Sequence, residues 1–263
     1  MLRFLVFLVL LLAFPGWGGA QSGKPARLTI DDIQALPDTT FGVVFHFVAL
    51  PDGRNYVADA RDSLLATHGN NEVLRADVLM WYLIREVNKR FRTGVIDYPP
   101  SKDTKLRFVY ANGPDPLASA YFYAHGERLR PVAGAFNVIL VDHPGTTNAS
   151  TRGKGSRTIY LYNTLPDYLR GSNNTWDPAR TLAHEIGHAL SLDHTFKCDN
   201  PCAGRGFDPY EECFGECVNH NSGSGEVSCF GGSDRELLMG YGSQLFLTPC
   251  EVEQIWDHLR TAK

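Results

Sequence analysis

No cysteine occurs before Cys198, no apolar run after Phe14 approaches the length of a membrane span, and no stretch of the chain is strongly basic. The first absence confines any disulfide to the last third of the sequence. The second leaves no later segment for a bilayer, because a spanning helix needs about 20 consecutive apolar residues. The third, with 25 basic against 29 acidic residues and a net charge of −4, argues against a protein that tracks a phosphate backbone. Nucleic acid is therefore not an expected partner. Internal repeats and low-complexity tracts are also lacking.

What is present begins with an export signal. Arg3 precedes an unbroken apolar run, Phe4 to Phe14, and Gly18-Gly19-Ala20 offers small residues for cleavage. As a helix the run extends only about 16 Å, roughly half of a bilayer's hydrocarbon core. It reads as a signal peptide over residues 1–20 rather than an uncleaved anchor. The expected product is secreted or periplasmic, begins near Gln21 and makes no stable membrane insertion. The remaining ~240 residues can bury a large core without help from metal or disulfide, so any metal should serve chemistry. Oligomeric state is not legible here.

All six cysteines, Cys198, Cys202, Cys213, Cys217, Cys229 and Cys250, lie near the C-terminal end. In an exported chain an even count reads as three disulfides, with the pairing open. A structural zinc on Cys198-x3-Cys202 and Cys213-x3-Cys217 is the competing reading.

Hydrophobic patterning divides the chain. Residues 21–40 are polar, carry Pro25 and Pro37, and read as a tether or short pro-segment. Phe41 to Leu50 is rich in β-branched and aromatic residues and stops at Pro51-Asp52-Gly53, which predicts a buried strand ended by a turn. A long helix is predicted over about Asn71 to Phe91, where Val73, Leu74, Met80, Trp81, Ile84, Val87 and Phe91 recur at helical spacing. Short strands follow at Leu106 to Ala111, Phe136 to Asp142 and Thr158 to Tyr162. The polar stretch Pro144 to Ser156 is either an exposed edge segment or a plain loop. A second helix runs from about Pro178 to Leu190, with Asp177 as N-cap and proline at its first position. Residues 197–235 look irregular and disulfide-stapled. The last helix opens on the capping box Thr248-Pro249-Cys250-Glu251. This order predicts an α/β chain, with two long helices on a twisted sheet and an irregular C-terminal part ending in a helix.

The chemistry sits on the second helix, in HEIGHALSLDH (residues 184–194). His184 and His188, four residues apart, stack on one helix face about 6 Å apart, close enough to share one zinc. Glu185 is turned roughly 100° away, which places it beside the metal as a general base. A catalytic zinc needs a third protein ligand and an open position, and His194 supplies the ligand if the chain bends near Ser191. Along a straight helix it would lie about 9 Å too far up the axis. Of nine histidines, His46, His68, His125, His143, His220 and His258 have no such spacing and read as core or surface residues.

The string H-E-x-x-H-x5-H resembles the metzincin zinc signature H-E-x-x-H-x-x-G-x-x-H, and Met239-Gly240-Tyr241 resembles the methionine turn of that clan. With His194-Thr195-Phe196, Leu238 to Gly242 and the helix opened by Thr248-Pro249-Cys250, the chain is most similar to the pappalysin family, especially its secreted bacterial cytophagalysin-like members. The resemblance spans most of residues 41–263, with an upper part of about 41–191 and a lower part of about 192–263. It implies a mixed α/β fold cut by a cleft, with zinc at the floor and a protein or peptide substrate extended along an edge strand. Met239 would form a hydrophobic base below the metal, and Tyr241 would hydrogen-bond the tetrahedral oxyanion. Serine at position 191 departs from the family's glycine, a change of about 1 kcal/mol in a left-handed backbone.

The expected activity is zinc-dependent endopeptidase action through water activated by Glu185. A gluzincin-like site with Glu211 or Glu212 as third ligand is one alternative, and a non-catalytic zinc-containing binding module is another. Segment 199–216 has acidic residues for a calcium ion but no calcium-loop spacing. Latency could involve Asp31 or Asp32, whereas a cysteine switch from the N-terminal side is excluded.

Overall fold

A computed structural model describes residues 27–58, 75–92, 102–169, 177–194, 202, 238–240 and 244–261. The signal peptide, Glu211, Glu212, the calcium segment 199–216 apart from Cys202, and Cys198, Cys213, Cys217 and Cys229 lie outside these residues.

The sheet grows outward from β1 (Thr39–Val48), whose second half is buried on both faces, as expected of a central strand covered on each side. Along one flank, β2 (Leu106–Tyr110) pairs with Thr39–Val43 and β3 (Ala120–Tyr123) pairs with Phe45–Val48, both parallel. On the other flank come β4 (Phe136–Val141) and β6 (Thr158–Tyr162), also parallel. The path ends at β5 (Ala149–Thr151), antiparallel to β6. Pro144 to Ser156 thus contains an edge strand.

Phe41, Phe45 and Phe47 join one large core with Met80, Leu83, Val87 and Phe91 of α2 (Ala76–Arg92) and Leu182 and Ile186 of α4 (Pro178–Ala189). A smaller cluster, Val48, Tyr123 and Ile139, lies with Leu129 and Tyr160. His46, fully buried, is a core histidine: Tyr123 Oη stands 3.1 Å from its Nδ1 and Asn137 Oδ1 3.0 Å from its Nε2. Trp81 departs from the expected stripe, being 52% exposed, with the Arg85 guanidinium 4.4 Å above its ring. Leu79 and Leu83 take the inward positions instead.

Within the stretch read as a tether or short pro-segment, residues 27–38 carry a helix. Helix α1 (Ile30–Gln34) is closed by a reciprocal capping box between Thr29 and Asp32, and Ile33 is fully buried. It packs against α5 (Pro249–Thr261), where Glu253 accepts a hydrogen bond from the Ile30 amide at 3.0 Å. The short helix α3 (Thr164–Leu169) follows β6. At the start of α5, Glu251 Oε2 accepts from the Thr248 amide at 2.7 Å, and Thr248 Oγ1 accepts from the Glu251 amide at 3.3 Å. Cys202 is disulfide-bonded to Cys250, which removes Cys202 from any four-cysteine zinc site.

Helix α4 ends where the sequence requires a reversal. Ser191 has φ +76°, its amide donates to His188 O at 2.9 Å, and the Leu192 amide donates to Gly187 O at 3.0 Å. These two bonds, with buried Leu192 as the apolar contact, form a Schellman end with serine in the left-handed place usually held by glycine. Ser191→Gly is therefore expected to stabilise the fold by about 0.5 to 1 kcal/mol, or about 2 °C in Tm. A lowered melting temperature would contradict this reading of the turn.

Candidate metal centre

Asp177 starts the helix that carries the site, its carboxylate accepting from the Ala179 amide at 2.9 Å, with Pro178 at the first helical position. About two and three turns later His184 and His188 project from the same face, their ring centroids 4.7 Å apart. The reversal at Ser191 then returns His194 to them. Its Nε2 lies 3.2 Å from Nε2 of His184 and 3.1 Å from Nε2 of His188. Among the described residues these three side chains are the group of histidine, cysteine and acidic residues whose donor atoms converge closely enough for one ion.

The far nitrogens settle the tautomers. Nδ1 of His184 is 2.8 Å from Leu238 O, and Nδ1 of His188 is 2.9 Å from Leu192 O. A carbonyl can only accept, so each Nδ1 carries the proton and each Nε2 turns a lone pair inward. Two such lone pairs aimed at one spot suit a cation there. Zinc–nitrogen bonds of 2.0 to 2.1 Å in a tetrahedron separate the nitrogens by about 3.3 Å, close to the spacings found. The three-imidazole donor set thus fits zinc. His184 is 4% exposed, and burial, reinforced by repulsion from His188 and opposed by the Leu238 carbonyl, lowers its pKa to about 4. It is neutral at physiological pH and can take a metal without first losing a proton.

Glu185 is 8% exposed, on a helix that packs against β5 and β6. Burial raises its carboxyl pKa to about 7, with the main-chain N–H of Thr151 pulling the other way. Such a group changes protonation near neutrality, as a general base must. Beneath the helix, Met239 is fully buried against Gly187, where an added methyl group would overlap its Sδ. Sequence reading passed over Gly187, although a glycine between two prospective ligands in mid-helix was the available signal. In an ordinary helix Gly→Ala gains about 1 kcal/mol. Here Gly187→Ala should instead cost about 1 to 3 kcal/mol through overpacking, and a stabilised variant in a denaturant titration would show that Met239 does not press on that position.

Tyr241 lies outside the described residues. Asp32 is occupied with capping, its carboxylate accepting from Thr29 N at 2.9 Å, and neither it nor Asp31 joins the histidine group. Sequence reading also missed Gln244, which is 3% exposed with φ +54°, its side-chain nitrogen 3.0 Å from His184 Nδ1.

Comparison with known proteins bears on this stretch. The peptidase family model described as pregnancy-associated plasma protein-A matches residues 141–246, about two-fifths of the chain. That range runs from the end of β4 past Met239 and holds all three histidines. No curated relative matches. Among solved structures, mature mirolysin of Tannerella forsythia in complex with a cleaved peptide is similar at 14% identity and TM-score 0.48, covering 84% of this chain and 91% of that one. A glutamate-to-alanine mutant of Tannerella forsythia promirolysin is similar at 12% identity and TM-score 0.49, with coverages of 84% and 80%. The stretch that carries the three histidines is thus similar to a pappalysin-type peptidase family, over about two-fifths of the chain.

Proposed function

We propose that the chain cuts internal peptide bonds of extended protein substrates, with zinc held by His184, His188 and His194 and with Glu185 as the general base. The observation that carries this reading is the meeting of three Nε2 atoms, two of them 3.1 and 3.2 Å from the third, beside a buried carboxylate. Zinc supplies Lewis acidity, polarising a carbonyl and lowering the pKa of water. Glu185 takes the proton from the attacking water and passes it to the leaving nitrogen. Tyr241 is the proposed donor to the oxyanion, and Met239 the apolar floor. His194 fills the third position, which leaves no role for Glu211 or Glu212.

Strand β5 supports an extended substrate. Asn148 O accepts from the Tyr162 amide at 2.8 Å and the Arg152 amide donates to Thr158 O at 3.4 Å. By the alternation of an antiparallel ladder, the main-chain groups of Ala149 face away from β6, toward an added strand, while the Thr151 amide on the same side is engaged by Glu185. The site would then lie between an upper part of about 41–191 and a lower part of about 192–263. Export fits the Cys202–Cys250 disulfide, since such bonds persist in oxidising compartments. Among the described residues no helix is long and apolar enough to cross a membrane.

Digestion of casein or gelatin with and without a strong chelator tests the proposal. Cleavage that stops with chelator and returns with stoichiometric zinc is expected. Cleavage indifferent to chelation would remove the metal from the reaction.

A further inference from the structure

Arg90 lies on α2, yet only 3% of its side chain is exposed. A guanidinium tolerates such burial only with its donors paired. Nη1 donates to the main-chain oxygen of Glu86 at 3.0 Å and to its carboxylate at 3.1 Å. Nη2 reaches Asp177 Oδ2 at 3.5 Å, and Nε donates to the main-chain oxygen of Gln244 at 3.1 Å. The last two partners matter most. Asp177 is the N-cap of α4, held also by the Tyr82 hydroxyl at 2.8 Å. Gln244 follows the Met239 turn, and its side-chain amide donates to Gly240 O at 2.9 Å while lying against Nδ1 of His184. That nitrogen is the one by which Leu238 O orients the ring. One planar cation therefore joins the start of the ligand-bearing helix to the turn on which the His184 ring rests.

We propose that Arg90 and Gln244 are a positioning pair for the metal centre, holding α4 and the 238–240 turn together so that His184 presents its Nε2 at a fixed angle. Neither side chain is a ligand, and since Nδ1 gives its proton to Leu238 O, the pair acts by holding the 238–240 turn whose carbonyl orients the ring. The proposal rests on the three-histidine zinc reading above. Groups that orient a metal-bound imidazole in this way typically contribute 10- to 100-fold in metal affinity. Lysine cannot replace Arg90, because a single ammonium lacks the fork that reaches Asp177 and Gln244 together.

The test measures zinc dissociation constants by competition with a chromophoric chelator, and cobalt(II) visible spectra, for wild type, Gln244→Met, Arg90→Lys and the double variant. Gln244→Met keeps the side chain's length and removes its amide. Each single variant should weaken zinc 10- to 100-fold and shift the cobalt bands, and the double variant should be little worse than the weaker single. A pair that merely stabilised the fold would lower the denaturation midpoint of the zinc-free protein and leave affinity and spectrum unchanged. Wild-type affinity and spectrum in Gln244→Met would overturn the proposal, and that variant decides the matter if Arg90→Lys does not fold. A wild-type protein that binds no zinc would instead overturn the functional reading beneath it, so the two failures are distinct.

Discussion

Glu185→Ala is expected to retain its zinc and lose about 10²- to 10⁴-fold in kcat, because the carboxylate moves protons without holding the metal. The same residue carries a stability cost, and its sign can be worked out. In the unfolded chain the carboxyl titrates near 4.5, and in the zinc-free native protein burial raises it to about 7. The native state therefore favours the protonated form. Its contribution falls as pH rises from about 4.5 through about 7. At 1.36 kcal/mol per unit, the deficit at pH 8 approaches about 3 kcal/mol. Zinc-free Glu185→Gln should accordingly be more stable than zinc-free wild type at pH 8, and nearly equal to it at pH 4. An active Glu185→Ala enzyme would end the general-base assignment, and equal stabilities at pH 8 would show that the carboxyl is better solvated than its burial indicates.

His194→Ala should weaken zinc by about 100-fold or more, since four-ligand sites bind with about 10 to 16 kcal/mol and each ligand carries a comparable share. The ring lies six residues beyond His188 and reaches the site only through the reversal at Ser191. Equilibrium dialysis against a zinc buffer reads the effect directly. Undiminished zinc in this variant would point to another third ligand and revive the glutamate alternative.

The meeting of the three histidines is legible because its information is local. Helical spacing brings His184 to His188 and rotates Glu185 aside, and the need for a third ligand forces a bend between Leu190 and His194. Ser191 partly hid that bend, since serine seldom adopts a left-handed backbone, and the Schellman bonds reveal why it does so here. Helix α1 lies in a polar stretch with little hydrophobic period, and its one local mark is the capping-box spacing of Thr29 and Asp32. Hydrophobicity alone puts Trp81 inward, but Arg85 four residues later covers it at the surface. Strands β3 and β5, of four and three residues, are too short for a period to register, and only their partners β1 and β6 define them. Arg90 and Gln244, 154 residues apart in sequence, leave no local trace of their bond.

The most direct measurement is anomalous diffraction at the zinc edge from crystals of the zinc-loaded protein. The account predicts a single strong peak within about 2.1 Å of Nε2 of His184, His188 and His194 together. A peak away from these rings, or one that touches only two of them, would contradict it.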